Sequence, residues 1–223
     1  MRPKYFHCAE HAKAQEEDTC VILDSSGSMD YTDYKPSRLL AALAAVLAML
    51  KIKLEQYPSD RVAVVAFGST ALEIHPLLEV GGNLKQFEGA LKKLDADGGT
   101  NVTAGLQKAA ELLGMGIVSY STPRLGRLLS RLLYEEPQTS RDNRSPPRRQ
   151  WRMVLLSDGA HNTGVGPEGI SEAIRQSGCV IDVIGIGGSP TAEEFEESRL
   201  KSLAAYSGEN DQWFRRIPFT HSG

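Results

Sequence analysis

Asp24, Ser26 and Ser28 stand two residues apart in the string DSSGSM at 24–29. One carboxylate and two hydroxyls in so tight a loop are donors for a hard divalent cation. Two further polar turns carry matching chemistry: Gly98-Gly99-Thr100-Asn101 offers a third hydroxyl, and Asp158-Gly159 a second carboxylate. Asp24 and Asp158 would offset a 2+ charge, while Ser26, Ser28 and Thr100 would supply neutral oxygens. A set without His or Cys suits Mg²⁺, with Ca²⁺ or Mn²⁺ as alternatives, rather than zinc. Gly27 and the Gly98-Gly99 pair let the backbone turn sharply beside the donors. Five side chains leave a place in a six-coordinate shell for water or a ligand from outside. Asp and Ser are ordinary turn and cap residues, so each string alone says little; their joint placement after strands and before helices carries the reading.

The elements that must position these turns follow from hydrophobic patterning. Thr19 to Leu23, Arg61 to Phe67 and Arg152 to Ser157 are short continuous apolar runs, the pattern of strands buried on both faces. The first and third run straight into Asp24 and Asp158. Leu72 to Leu78 alternates and contains Pro76, which fits a short edge strand. Cys179 to Gly187 reads as another strand, and Gln212 to Ile217 as a last one. Between them lie helical stretches: Arg38 to Gln56, apolar nearly all round and so expected to be mostly buried; Asn83 to Leu94; Val102 through Leu113; and Glu168 to Gln176, stopped by Gly178. Thr191 to Glu194 is a capping box that opens a helix continuing to Tyr206. Strands alternating with helices imply right-handed βαβ units and a sheet covered on both faces, with ligands held beyond the carboxyl ends of its strands.

Ser119 to Gln150 interrupts this pattern. Leu125, Leu128, Leu129, Leu132 and Leu133 predict an amphipathic helix, and the proline- and arginine-rich remainder a mobile loop. The segment holds seven Arg against Glu135, Glu136 and Asp142, an excess of four positive charges. It reads as a docked helix and a solvated loop, with a partner or nucleic-acid contact as the alternative.

With these pieces in place the sequence resembles a known family. DSSGSM at 24–29, GGTN at 98–101 and LLSDG at 155–159 are similar to the three loops of a von Willebrand factor type A domain, from about Thr19 to Ile217. The resemblance implies a Rossmann-like, doubly wound α/β fold: a six-stranded, mostly parallel sheet with one short antiparallel edge strand and helices on both faces. It divides the chain into an N-terminal arm (1–18), the domain (19–217, with the 119–150 basic insertion) and a tail (218–223). It also implies a metal-ion-dependent adhesion site in which Ser26 and Ser28 ligate directly, Thr100 directly or through water, and Asp24 and Asp158 mainly through water. The sixth ligand in that family is a water or an acidic side chain of a partner protein.

A metal-dependent protein-binding module is therefore the leading expectation, with a partner Glu or Asp completing the coordination. By analogy with intracellular bacterial-type members, it would be an adaptor beside an AAA+ ATPase or in a stress-resistance complex, and a monomer. The rival classes are a Mg²⁺-dependent hydrolase or phosphotransferase using Asp24, and a purely structural metal. No nucleophile–base pair shares the three loops, and neither loop offers a convincing lysine for phosphoryl chemistry. His161 follows Asp158 closely but reads as loop surface.

Composition sets the outer limits. With 223 residues, 41% hydrophobic and 24% charged, the chain is long enough for one large α/β domain or two small ones. A net charge of −3 gives no general footing on nucleic acid or an anionic membrane. No run of 18 apolar residues spans a membrane, the first 18 residues hold no apolar signal core, and three cysteines fit a reduced compartment, so a cytoplasmic location is expected. Cys8 and His11, with His7 and Cys20 near, suggest zinc only faintly, and Cys179 reads as core. Asn101-Val102-Thr103 fits a glycosylation acceptor without a secretion signal to give it meaning, and Gly185-x-Gly187-Gly188 reads as a strand-to-helix turn.

Overall fold

The computed structural model describes residues 16–117, 149–187, 197–204 and 214–216. Strand β1 (Glu17–Asp24) is followed by a 3₁₀ turn (Gly27–Asp30), α1 (Arg38–Gln56), β2 (Arg61–Phe67), β3 (Ala71–Glu79), α2 (Leu84–Leu91) and α3 (Val102–Leu112). Then come β4 (Gln150–Ser157), α4 (Glu168–Gln176), β5 (Val180–Gly185), α5 (Glu197–Ala204) and β6 (Phe214–Arg216). The six strands form one sheet in the order β3-β2-β1-β4-β5-β6. Only β3 runs antiparallel to its neighbour.

Alternate residues of each strand feed two cores. Cys20, Ile22, Val65, Phe67 and Leu155 face Leu106 of α3, Ile174 of α4 and Leu200 of α5. Val21, Leu23, Val64 and Leu156 face Leu43, Val46 and Leu50 of α1 and Phe87 of α2. The apolar runs of the sequence are thus strands buried on both sides, as parallel sheets require. The chain leaves central β1 for β2 on one side and returns after α3 to β4 on the other. The carboxyl ends of β1 and β4 therefore flank the topological switch point.

Three elements differ from expectation. Strand β3 has nine residues and is not short, because register shifts opposite Val62–Val65 let Pro76 sit in the edge strand without a ladder N–H. Strand β1 begins two residues before the apolar run: Glu17 and Asp18 are held by Lys53, Arg61, Arg149 and Arg152 at the amino ends of the strands. Helix α1 buries Leu39, Ala42, Leu43, Val46 and Leu50, yet its outer face stays open, with Leu40 50% and Ile52 53% exposed. Its alanines made the outer face look like core. The capping box, the zinc candidates His7, Cys8 and His11, the tail and the insertion up to residue 148 lie outside the described residues.

Helix α3 packs on the sheet through Gly105. A Cβ there would stand 2.9 Å from the Phe67 ring and 3.0 Å from Ile22 Cγ2. Gly105→Val therefore pushes α3, and the Thr100 turn at its start, off β1 and β2. A loss of about 2–3 kcal/mol is expected in urea unfolding. An unchanged midpoint would show that the helix can shift at no cost.

Candidate metal centre

Asp24 ends β1, and the chain then turns through the 3₁₀ segment, whose Gly27 N–H donates to Gly98 O at 3.0 Å. The turn before α3 is thus docked on the first loop by backbone alone. Ser25 O accepts from Asp97 N at 2.8 Å, and Gly68 O from Asn101 N at 2.8 Å. Asn101, the asparagine of the Asn101-Val102-Thr103 string, caps α3 through its side chain, which accepts from Ala104 N at 3.1 Å. Asp158 follows β4 directly.

Asp24 and Asp158 are both wholly buried, and each is wired to a serine hydroxyl of the first loop. Asp24 Oδ1 accepts from Ser26 Oγ at 2.6 Å and from Ser26 N at 2.9 Å, and its Oδ2 accepts from Ser157 Oγ at 2.6 Å. Asp158 Oδ2 accepts from Ser28 Oγ at 2.6 Å, and its Oδ1 from Ala160 N at 3.1 Å. Ser26 Oγ and Ser28 Oγ, each also donating to a carboxylate, lie 3.2 Å apart. Two ligand oxygens on adjacent corners of an octahedron stand about 3.0 Å apart around Mg²⁺ and about 3.4 Å around Ca²⁺. The serine pair already has the spacing of such an edge, and the donor set fits a hard cation.

Thr100 joins the cluster through its loop: its N–H donates to Asn162 Oδ1 at 2.8 Å, its carbonyl accepts from Asn162 N and Thr163 N, and the residue is 2% exposed. His161 serves the same loop, its Nδ1 accepting from Val102 N at 3.3 Å. Among the described residues no group of three His, Cys, Asp or Glu side chains is arranged for a metal, so hydroxyls are indispensable to any cation here.

The electrostatics are those of two buried like charges. Burial raises the Asp24 carboxyl and the neighbouring Asp158 raises it further, to about 7, against the hydrogen bonds from Ser157 and Ser26. Burial also raises Asp158, opposed by Ser28, Ala160 and Arg38. Arg38 Nη1 donates to Asp158 Oδ2 at 3.0 Å.

The sequence reading missed Ser157, Asn162 and Arg38. Ser157 stands beside Asp158 but looks like the end of an apolar strand. Arg38 had one signal: a cation at the first position of a helix, where the macrodipole favours acids.

The model of the von Willebrand factor type A domain matches residues 19–160, which contain all three loops. The chain belongs to this family. Its fold is shared by solved von Willebrand factor type A-like structures at low identity. BatB of Bacteroides thetaiotaomicron is 15% identical with a TM-score of 0.61, 92% of each chain being covered. An aerotolerance-related membrane protein of Bacteroides fragilis is 17% identical with a TM-score of 0.57, over 84% of this chain and 86% of that one. Manganese-loaded TRAP protein of Plasmodium vivax is 16% identical with a TM-score of 0.58, over 91% and 68%. No curated protein matches the sequence. Members of the von Willebrand factor type A family commonly bind a divalent metal and mediate protein interactions, and the TRAP structure is manganese-loaded. Among the described residues no helix is long and apolar enough to cross a membrane.

Proposed function

We propose that this chain is a non-catalytic binding module whose Mg²⁺, held by Asp24, Ser26, Ser28, Thr100 and Asp158, docks a Glu or Asp of a partner protein. The observation that carries the reading is the serine pair 3.2 Å apart, each hydroxyl also donating to a carboxylate. A bound ion would supply a positive centre that an outside carboxylate can complete. This chain's own residues orient the two hydroxyl oxygens and provide the anionic surroundings. Family membership supports the same reading. We further read the module as an intracellular adaptor of the AAA+ or stress-resistance kind, which the free, buried thiols of Cys20 and Cys179 suit.

The test is retention of proteins on immobilised wild type and Asp24→Ala, each in Mg²⁺ and in EDTA. A set retained only by wild type in Mg²⁺, and lost when an acidic residue of the retained protein is replaced, is expected. Equal retention in EDTA would falsify the reading. Phosphoester turnover in Mg²⁺ that vanishes in Asp24→Asn would put a hydrolase in its place.

A further inference from the structure

Arg38 is a charge whose position runs against local preference. It opens α1, at the positive end of the helix dipole, and its side chain is 0% exposed. A buried guanidinium persists only where it is paired. Here Nε and Nη2 each donate to Asp33 at 2.8 Å in a bidentate fork, and Nη1 donates to Asp158 Oδ2 at 3.0 Å. The Tyr31 ring lies 5.0 Å from Cζ. Gly187, with φ +123°, closes the box, since a Cβ there would stand 3.0 Å from Nε. Gly187, two residues after β5, thus makes room for the guanidinium.

Asp158 does not depend on Arg38 for its orientation, because Ser28 Oγ and Ala160 N hold both of its oxygens. What Arg38 adds is charge. It places a fixed positive charge against one of the two carboxylates that a divalent cation needs.

We propose that Arg38 is a resident counter-cation of the metal centre: it stabilises the metal-free state by balancing Asp158, and in doing so weakens divalent-cation binding. Asp33 sets the strength of this effect, since its carboxylate offsets part of the guanidinium charge. The inference rests on the metal reading above. A merely structural Arg38 would behave oppositely, because losing it would loosen the site and weaken the metal.

The measurement is Mn²⁺ affinity, by electron paramagnetic resonance of the free ion or by calorimetry, together with melting in EDTA. Arg38→Gln is expected to melt lower than wild type in EDTA yet bind Mn²⁺ more tightly, on the order of tenfold, as one positive charge leaves the surroundings of a divalent ion. Arg38→Lys, which keeps the charge, stays within about threefold of wild type on the same electrostatic ground. Asp33→Asn, at a carboxylate 16% exposed and so the more tolerant position, shifts affinity the other way and binds Mn²⁺ more weakly. If Arg38→Gln does not fold, the sign for Asp33→Asn decides. Weaker or equal Mn²⁺ binding in Arg38→Gln, or tighter or equal binding in Asp33→Asn, overturns the proposal while leaving the metal reading intact. Wild type that binds no Mn²⁺, or binds it as well after Asp24→Ala, overturns the metal reading and this inference with it.

Discussion

Asp24→Asn raises the melting temperature of the metal-free protein and abolishes the further rise that Mg²⁺ gives the wild type. Asp24 is wholly buried, and burial together with Asp158 lifts its carboxyl to about 7 from an ordinary 3.8. At pH 8 the folded wild type must carry an ionised group where its surroundings disfavour one. Each pKa unit corresponds to about 1.4 kcal/mol, and relaxation removes part of the total. A gain of roughly 2 kcal/mol, or about 5 °C, is expected. The asparagine oxygen can still accept from Ser26 N and Ser26 Oγ, and its amide can donate to Ser157 Oγ in place of the Oδ2 contact. What it cannot do is offset a cation. Mg²⁺ at a hundred times its dissociation constant stabilises wild type by about 2.7 kcal/mol, and should add nothing measurable to the variant. Thermal melts of both proteins in EDTA and in Mg²⁺ check both halves. A variant that melts lower in EDTA, or one that keeps the metal-induced rise, contradicts the expectation.

The same pair gives the protein two opposite responses to pH. Without metal, the folded-state value of Asp24 lies above its unfolded value, so between about pH 4 and 7 the folded chain holds more protons than the unfolded one. That stability is fully present below the unfolded value and is lost as pH rises through about 7. With Mg²⁺ the sign reverses, because a cation competes with the proton for the carboxylates, and the stabilisation it brings grows across the same window. Melting temperatures from pH 5 to 8 should therefore fall in EDTA, and the gap between Mg²⁺ and EDTA should widen. Asp24→Asn should flatten both. Glu17 acts elsewhere: burial raises its carboxyl, but Arg152, Lys53 and Thr19 outweigh that and hold it below its ordinary 4.5. Its stability is present above that value and lost only as pH falls further, outside the window in question. A metal-free protein whose stability climbs from pH 5 to 8 would assign the two carboxylates a different environment.

Much of this was legible in the residues because burial on both faces leaves an unambiguous mark. The runs ending at Leu23, Phe67 and Ser157 could be placed as buried strands, and Asp24 and Asp158 then fell at carboxyl ends of strands, where such sheets hold ligands. Where charge does the work that apolar burial does elsewhere, the pattern is silent. Glu17 and Asp18 belong to β1 because cations from α1, β2 and β4 reach them, a fact of tertiary placement. Arg38 entered the sequence reading only as the first residue of a helix, yet it is wholly buried against Asp158, 120 positions away. Alanine misled in the other direction on α1, since it fits core and surface alike. Ser157 and Asn162 were hidden for a simpler reason. Their side chains bond to Asp24 and Thr100, far along the chain, and no spacing rule points there.

The backbone bonds that join the loops have a kinetic corollary. Gly27 to Gly98, Asp97 to Ser25, and Asn162 and Thr163 to Thr100 join the three turns by backbone hydrogen bonds. Among the described residues these bonds already bring the donor-bearing turns together, so cation entry is expected to need no refolding of them. The slow step becomes the shedding of its own hydration water, so Ca²⁺ should enter faster than Mg²⁺, which dehydrates reluctantly. Stopped-flow traces would be single-exponential for each ion, with the ordering of rates set by the ion and not by the protein.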